Sequence, residues 1–348
     1  MMDKLALVMA AGEGTRMRSD LPKVLHQVCG LPMLEHVLRS LGSVNAQQYV
    51  IVGHNKERVI AEYHSKVEFI EQTPGGWGTG WAIRCCEHVL KGKKGVVLIT
   101  AGDMPLVRTE TFARQISEVE SGKHAAALLT DLVDNPFGYG RIVRENGKII
   151  GIVEQKDLKP DQLNIKEINA SVYCFDIEAL LWALPQLNDK NSANEYYLTD
   201  VIGILHQGGY AMTTVPVLDK SECMGVNDRV QLANADAEMR RRINAKHMRE
   251  GVTMLDPSRV YIQPDVSIGK DTIIHPGCEI GKGSVIGEKC VLRAGCQIAF
   301  SNIGEGCQLG NSLIKNSTLG SNVKMEHAVA RGANIPEGSV IEPFTVVE

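Results

Sequence analysis

The sequence predicts two folds in series, an α/β domain on a mixed, mostly parallel sheet and then a short parallel β-helix. Alternation carries the first. Short apolar runs ending in Gly or Asp are separated by amphipathic stretches as far as residue 227, the pattern that lays helices on the faces of a parallel sheet. A repeat carries the second. From Val266 aliphatic residues return every six positions, at Ile268, Ile274, Ile280, Ile286, Leu292 and Ile298, the signature of a hexapeptide β-helix. Between them, Asp228 to Glu250 is polar with an apolar line at Leu232, Met239 and Ile243, and Gly251 closes it; this predicts one long helix. The expected boundaries are 1–227, 228–251 and 252–348.

Leu5-Ala6-Leu7-Val8-Met9 is apolar without helical period and runs into Gly-containing sequence, so it is expected to be a buried strand. Ala10-Ala11-Gly12-Glu13-Gly14-Thr15-Arg16 follows, with Lys23 close behind. Small residues let the backbone approach a ligand, and such a loop can turn its N–H groups toward an anion. Arg16 and Lys23 add positive charge. The stretch therefore reads either as a triphosphate cradle at the carboxyl end of the first strand or as a structural turn with solvated Arg and Lys side chains. A dinucleotide fingerprint would want a third Gly where Arg16 stands, and no GK[ST] is present, so neither the dinucleotide fold nor the P-loop fits.

Residues 32–38 predict a helix, Gln48–Gly53 a strand, and Phe69-Ile70 a short strand. Residues 71–80 hold four Gly and one Pro, which makes a loop able to lie against a flat ligand; Trp81–Leu90 is expected to be helical. Gly95 to Asp103 is the clearest strand. It ends in an acidic residue where open α/β sheets keep their chemistry, although Asp103 before Pro105 could also simply start a helix or turn. Gly140, Glu154 and Asn169 stand at strand entries and ends, where each taken singly fits surface or turn chemistry better than a ligand contact. After Ile298 the repeat slips to Ile303 and Leu309 and resumes at Leu319, Met325, Ile335 and Ile341. Cys278, Cys290, Cys296 and Cys307 each fall four residues after a repeat aliphatic. This is a small inward position, so core packing is expected there in preference to a metal cluster.

A net charge of −4 gives no nucleic-acid footprint. No apolar run reaches the ~20 residues of a membrane span, and the N-terminus has no secretory pattern. Nine Cys without a CxxC pair predict reduced thiols and a cytoplasmic protein. The sequon Asn316-Ser317-Thr318 has no meaning in that setting. Arg240-Arg241-Arg242 is expected to be a solvated face.

The stretch LVMAAGEGTRMRSDLPKVL resembles the signature of the sugar-nucleotide pyrophosphorylases, and within them the bacterial N-acetylglucosamine-1-phosphate uridylyltransferases. The resemblance continues through Gly78-Thr79, Gly102-Asp103-Met104-Pro105-Leu106, Gly140, Glu154, Asn169, Glu195-Tyr196-Tyr197-Leu198-Thr199-Asp200 and Gly225-Val226-Asn227. It implies a Rossmann-like nucleotidyltransferase domain and a left-handed β-helix. It implies Arg16 and Lys23 as the catalytic cations, and Mg²⁺ on Asp103 and Asn227, whose alternative role is again helix capping. Nucleotide contacts would come from Met9, Ala10, Ala11, Gly12, Gly14, Thr15, Gln72, Gly78, Thr79 and Gly102. Sugar contacts would come from Gly140, Glu154, Asn169, Tyr197 and Thr199. Gln72 stands one residue further from Gly78 than the family spacing, so either the loop carries an insertion or Thr73 takes that place. Ala170 follows Asn169 where the family often has Thr.

The implied reaction joins UTP and N-acetylglucosamine 1-phosphate into UDP-N-acetylglucosamine and pyrophosphate, for cell-envelope polysaccharide. The alternatives are another sugar 1-phosphate or NTP, and a silent sugar-nucleotide-binding module. Bifunctional members continue their β-helix into an acetyltransferase region. That region is expected to be absent here, so the β-helix is expected to be structural and to assemble a homotrimer.

Overall fold

The computed structural model describes residues 2–348, and the chain divides into two units. One runs to His26 and resumes over Pro32–Gln231; the other comprises Gln27–Leu31 and Leu232–Glu348.

The first unit is built on a nine-stranded sheet. Its strands in chain order are β1 (Asp3–Met9), β2 (Gln47–Val52), β3 (Glu68–Glu71), β4 (Gly95–Ala101), β5 (Ala126–Leu132), β6 (Gly140–Glu145), β7 (Lys148–Val153), β8 (Glu167–Asp176) and β9 (Met212–Pro216). The spatial order is β9-β5-β8-β4-β1-β2-β3, with β6 paired to β8 and β7. β1 lies between parallel neighbours β2 and β4, whereas β8 is antiparallel to β4, β5 and β6. The central position explains the unbroken apolar run: Ala6 and Val8 pack into one core layer, Leu5 and Leu7 into the other. The carboxyl ends of β1 and β4 come together, with Met9 opposite Ala101.

Four expectations are revised. The helix expected over 81–90 is two pieces, Thr79–Arg84 and Glu87–Leu90. At Cys85-Cys86 the ladder tightens, with Cys86 N bonded to Ile83 O (2.9 Å) and Val89 N to Cys86 O (3.1 Å), i→i−3 bonds that interrupt an α-helix. Asn169, expected just before a strand, lies inside β8, where the register shifts between Asn169 and Tyr173. The long helix spans Arg229–Arg249, but its buried residues are Ala235, Asn244 and His247, not the apolar line at Leu232, Met239 and Ile243. Asn244 is buried because its amide donates to Pro257 O (2.7 Å) and Val260 O (2.9 Å). The Arg run is partly paired rather than simply solvated: Arg241 and Arg242 both engage Glu238, and Arg240 lies over the Tyr261 ring at 4.6 Å.

In the second unit two- and three-residue strands form three parallel sheets of six, six and five strands, a left-handed β-helix. The inward ladder runs Ile280–Ile298–Ile314–Ala330 on one face and Ile274–Leu292–Leu309–Met325–Ile341 on another. Ile314 and Ala330 are rungs that the six-residue period skips, because several rungs are only five residues long. In these the second residue after the aliphatic adopts positive φ: Phe300, Asn311, Asn316, His327 and Gly332. Left-handed backbone turns the corner one residue sooner, and Asn and Gly suit it. Beside three of these corners a buried Ser closes the turn. Ser301, Ser312 and Ser317 donate to the carbonyls of Ala299, Gly310 and Lys315 at 2.7–2.9 Å. Cys278, Cys290, Cys296 and Cys307 are wholly buried in this core, and all nine cysteines are free thiols.

Candidate active site

The site forms where β1 and β4 end. Gly102 N donates to Met9 O (2.9 Å), fastening the two strand ends. The chain then turns through Gly14 at φ 64°, where a Cβ would stand 2.8 Å from Lys23 Cβ. Only Gly allows this approach of the loop to the Lys23 backbone. Thr15–Met17 is one 3₁₀ turn with Arg16 exposed on it.

Lys23 Nζ pairs with Asp103 Oδ2 and lies 3.3 Å from Asn227 Oδ1, while Arg16 donates to the same Asn227 oxygen at 2.9 Å. Val226 N donates to Asp103 O (3.0 Å), which brings residues 225–227 to the end of β4. Four residues spread across more than 200 positions thus meet. Neither side chain caps a helix. The helix after Asp103 begins at Thr109, behind Arg108; Asp103 sits in a turn, as its Pro105 neighbour also allowed, with its carboxyl paired to Lys23. For the long helix it is Asp228 that accepts from Gln231 N (2.8 Å), while the Asn227 side-chain oxygen meets Arg16 and Lys23.

Asp103 Oδ2 and Asn227 Oδ1 both face one ammonium, so they converge on a common cation position. One carboxylate and one amide oxygen suit a hard divalent ion that completes its shell with water and phosphate. Among the described residues no group of three or more His, Cys, Asp or Glu could hold a metal.

A cavity of about 460 Å³ opens at this point. Lys23 and Asp103 line it together with Met9, Ala10, Ala11, Gly12, Gln72, Gly78 and Thr79, whereas Gly14, Thr15, Arg16, Gly102 and Asn227 lie outside its lining. A second cavity of about 320 Å³ is bounded by His54 and residues 72–77. Gln72 lines both and Thr73 only the second, so of the two residues competing for the Gln position Gln72 is the one beside Lys23's cavity. Glu195, from the 195–200 motif, also lines the first cavity, as does Trp77, which the motifs do not mark. The signal was a large aromatic inside a Gly-rich loop.

The remaining residues form a second cluster. Gly140 stands opposite Asn169 in the β6–β8 ladder, and a Cβ on it would be 3.5 Å from both Asn169 Cβ and Glu154 Oε2. Glu154 accepts from Thr199 Oγ1 (3.1 Å), and Asn169 donates to the Tyr173 hydroxyl (2.7 Å). Burial holds the Glu154 carboxyl above the usual range, and the Asp157 charge adds to this against the Thr199 bond. Asp200 is pushed up to about 6, first by burial and then by Glu154 and Asp157. The Tyr197 hydroxyl is raised by burial and neighbouring carboxylates. Segment 196–199 also holds the end of the Gly-rich 71–80 loop, with Gly80 N donating to Tyr196 O (2.7 Å) and Leu198 N to Thr79 Oγ1 (3.0 Å).

A phosphate-sized loop, a lysine–carboxylate–amide centre and an adjacent polar cluster on a mixed α/β sheet define a nucleotidyltransferase of the sugar-nucleotide class. Comparison with known proteins agrees. Residues 6–146 match the family model of the MobA-like NTP transferase domain. The chain is 43% identical over 348 residues to the bifunctional protein GlmU of Shouchella clausii, covering 99% of this chain and 76% of that protein. It is 42% identical over 345 residues to the GlmU of Clostridium botulinum strain Langeland, covering 98% and 72%. A putative glucose-1-phosphate thymidylyltransferase from Bacillus anthracis superposes with a TM-score of 0.54 at 21% identity, over 68% of this chain and 94% of that one, a likeness of fold alone. The chain belongs to the GlmU family, and its activity is uridylyl transfer to N-acetylglucosamine 1-phosphate.

Proposed function

We propose that this cleft joins UTP and N-acetylglucosamine 1-phosphate by positioning and charge neutralisation, with Asp103 and Asn227 holding Mg²⁺. The observation that carries the reading is the convergence of Lys23, Arg16, Asp103 and Asn227 on one point. The attacking group is already a phosphate anion, so no general base is needed; the obstacle is the meeting of two polyanions. When bound, the divalent ion supplies charge neutralisation to the phosphates. Arg16 and the amides of residues 11–15 hold the outgoing pyrophosphate. Lys23 exchanges its Asp103 partner for the negative charge that grows around the α-phosphorus. Gln72, Gly78 and Thr79 take the uracil side, and Met9 and Ala10 shape the floor, with Gly102 behind it fastening the strand end to Met9 O. Glu154, Asn169 and Thr199, with the Gly140 backbone and Tyr197, hold the sugar.

In this reading 1–227 is the catalytic domain, 228–251 a linking helix and 252–348 a β-helix that assembles a homotrimer in the cytoplasm. Among the described residues no helix is long and apolar enough to cross a membrane. A thiol-release assay with acetyl-CoA and glucosamine 1-phosphate tests the chain for acetyl transfer. The test of the main reading is pyrophosphate release with Mg²⁺, UTP and N-acetylglucosamine 1-phosphate beside dTTP and glucose 1-phosphate. Selective release with the first pair supports it, and equal release with a control pair overturns the substrate assignment.

A further inference from the structure

Trp77 is 70% exposed, yet its backbone is held on every side. Tyr196 N donates to Trp77 O at 2.8 Å. The next residue, Gly78, has φ 97°, and a Cβ there would meet Tyr196 O at 2.5 Å, so no other residue fits that approach. On the other side, Gly75 and Gly76 lie flat against the Trp81 indole, where added Cβ atoms would fall at 2.9 and 2.5 Å. Trp81 is itself fixed, by an Nε1 bond to Thr73 O (2.8 Å), by Tyr196 at 5.5 Å between ring centroids and by Arg84 at 5.3 Å. The loop is thus seated on one tryptophan and presents another outward.

Trp77 lines both the 460 Å³ and the 320 Å³ cavity, together with Ala11, Glu13 and Gln72. An apolar face of this size left in water is disfavoured, and a rigid mount lets it receive a ligand without an ordering cost. We infer that Trp77 is the stacking platform for the nucleobase of the nucleoside triphosphate, an inference resting on the uridylyl-transfer reading. The phosphates are assigned to the Lys23–Asp103 side of the first cavity. None of the sugar-cluster residues Gly140, Glu154, Asn169, Tyr197 or Thr199 lines either cavity. The flat group that reaches Trp77 is therefore the base, with Gln72 beside it to address its edge. Stacking is indifferent to which base is present, so Trp77 supplies affinity while the polar edge contacts supply choice.

The chain has three tryptophans, at 77, 81 and 182. Titrating UTP into the full chain should quench tryptophan fluorescence, and Trp77→Phe should remove most of that quench. In steady-state assays Trp77→Ala should raise KM for UTP roughly tenfold, the loss of one base–aromatic stack. Its kcat and its KM for the sugar phosphate should stay within twofold of wild type, and Trp77→Phe should restore KM for UTP. The side chain is exposed, so folding is not at stake, and an unchanged Tm checks this. A full quench in Trp77→Phe, an unchanged KM for UTP in Trp77→Ala, or no rescue by Phe would each overturn the inference while the wild type still turned over UTP. A wild type without uridylyl transfer would remove the reading beneath it, and the nucleotide-dependent quench would then decide for or against stacking by itself.

Discussion

Lys23 and Asp103 are 80 residues apart in sequence and form an ion pair at the junction of two parallel strands. Neither side chain is fully buried, at 17% and 13% exposure, so the pair is exchangeable and not a fixed strut of the core. Lys23 also reaches Asn227, so one ammonium spans both proposed metal ligands. Lys23→Ala and Asp103→Ala are expected to lower kcat by about 10²–10³, the ~3–4 kcal/mol of one preorganised charge contact. Circular dichroism should show the fold intact. Either variant with near-wild-type turnover would remove these residues from the site.

Gly14 gives a test of the loop that leaves every charged group in place. Gly14→Ala puts a Cβ 2.8 Å from Lys23 Cβ on a left-handed backbone, which costs about 1–2 kcal/mol in conformation alone. The loop relieves this by moving away from Lys23. Turnover should fall at least tenfold, while Tm, set by the buried core, moves by a few degrees at most.

Asp200 links the sugar cluster to pH. Its folded carboxyl titrates near 6 against an ordinary 3.8, so between about pH 4 and 6 the folded state holds more protons than the unfolded one. Stability therefore falls as pH rises through that window, and the ionised group is a burden at neutral pH. Its place in the first turn of helix Asp200–Gln207 offsets part of this. Asp200→Asn should gain about 1 kcal/mol at pH 8 in urea melts and flatten the pH 4–6 slope. A variant less stable at pH 8 than wild type would contradict the burial argument.

In the β-helix, Ser312 donates to Gly310 O (2.7 Å) and accepts from Ala328 N (3.2 Å) in the next coil. Ser312→Ala leaves that buried N–H without its partner, at a cost of about 1–3 kcal/mol. Thermal melting of the full chain should register the loss, with uridylyl transfer at 25 °C unchanged.

The sequence was most legible where burial leaves one solution. A strand between parallel neighbours must be apolar on both faces, so Leu5–Met9 announced itself. The hexad was visible for the same reason, until five-residue rungs hid Ile314 and Ala330. Those rungs depend on corner backbone angles at Asn311, Asn316 and Gly332 that no hydrophobic period records. The split at Cys85-Cys86 is likewise a change of hydrogen bonding with no change of pattern. In the site, Arg16, Lys23, Asp103 and Asn227 could be named from their motifs, but their convergence belongs to the fold. Trp77 was hidden because a lone aromatic in a loop has no period, and only the cavities on either side of it give it meaning.

Asn227 and Asp228 are neighbours with separable work. Asn227 turns its side-chain oxygen to Arg16 and Lys23, while its backbone N–H donates to Gln231 Oε1 (2.7 Å). Asp228 accepts from Gln231 N and starts the long helix, where an acidic cap also meets the positive end of the helix dipole. Asn227→Ala should therefore lower turnover by about 10² or more with Tm unchanged. Asp228→Ala should cost about 1 kcal/mol of stability and retain most of the turnover. The pair of measurements, kcat and Tm on both variants, separates ligand from cap. If Asn227→Ala destabilised the chain and Asp228→Ala abolished activity, the two roles would have to be exchanged, and the metal pair with Asp103 would be lost.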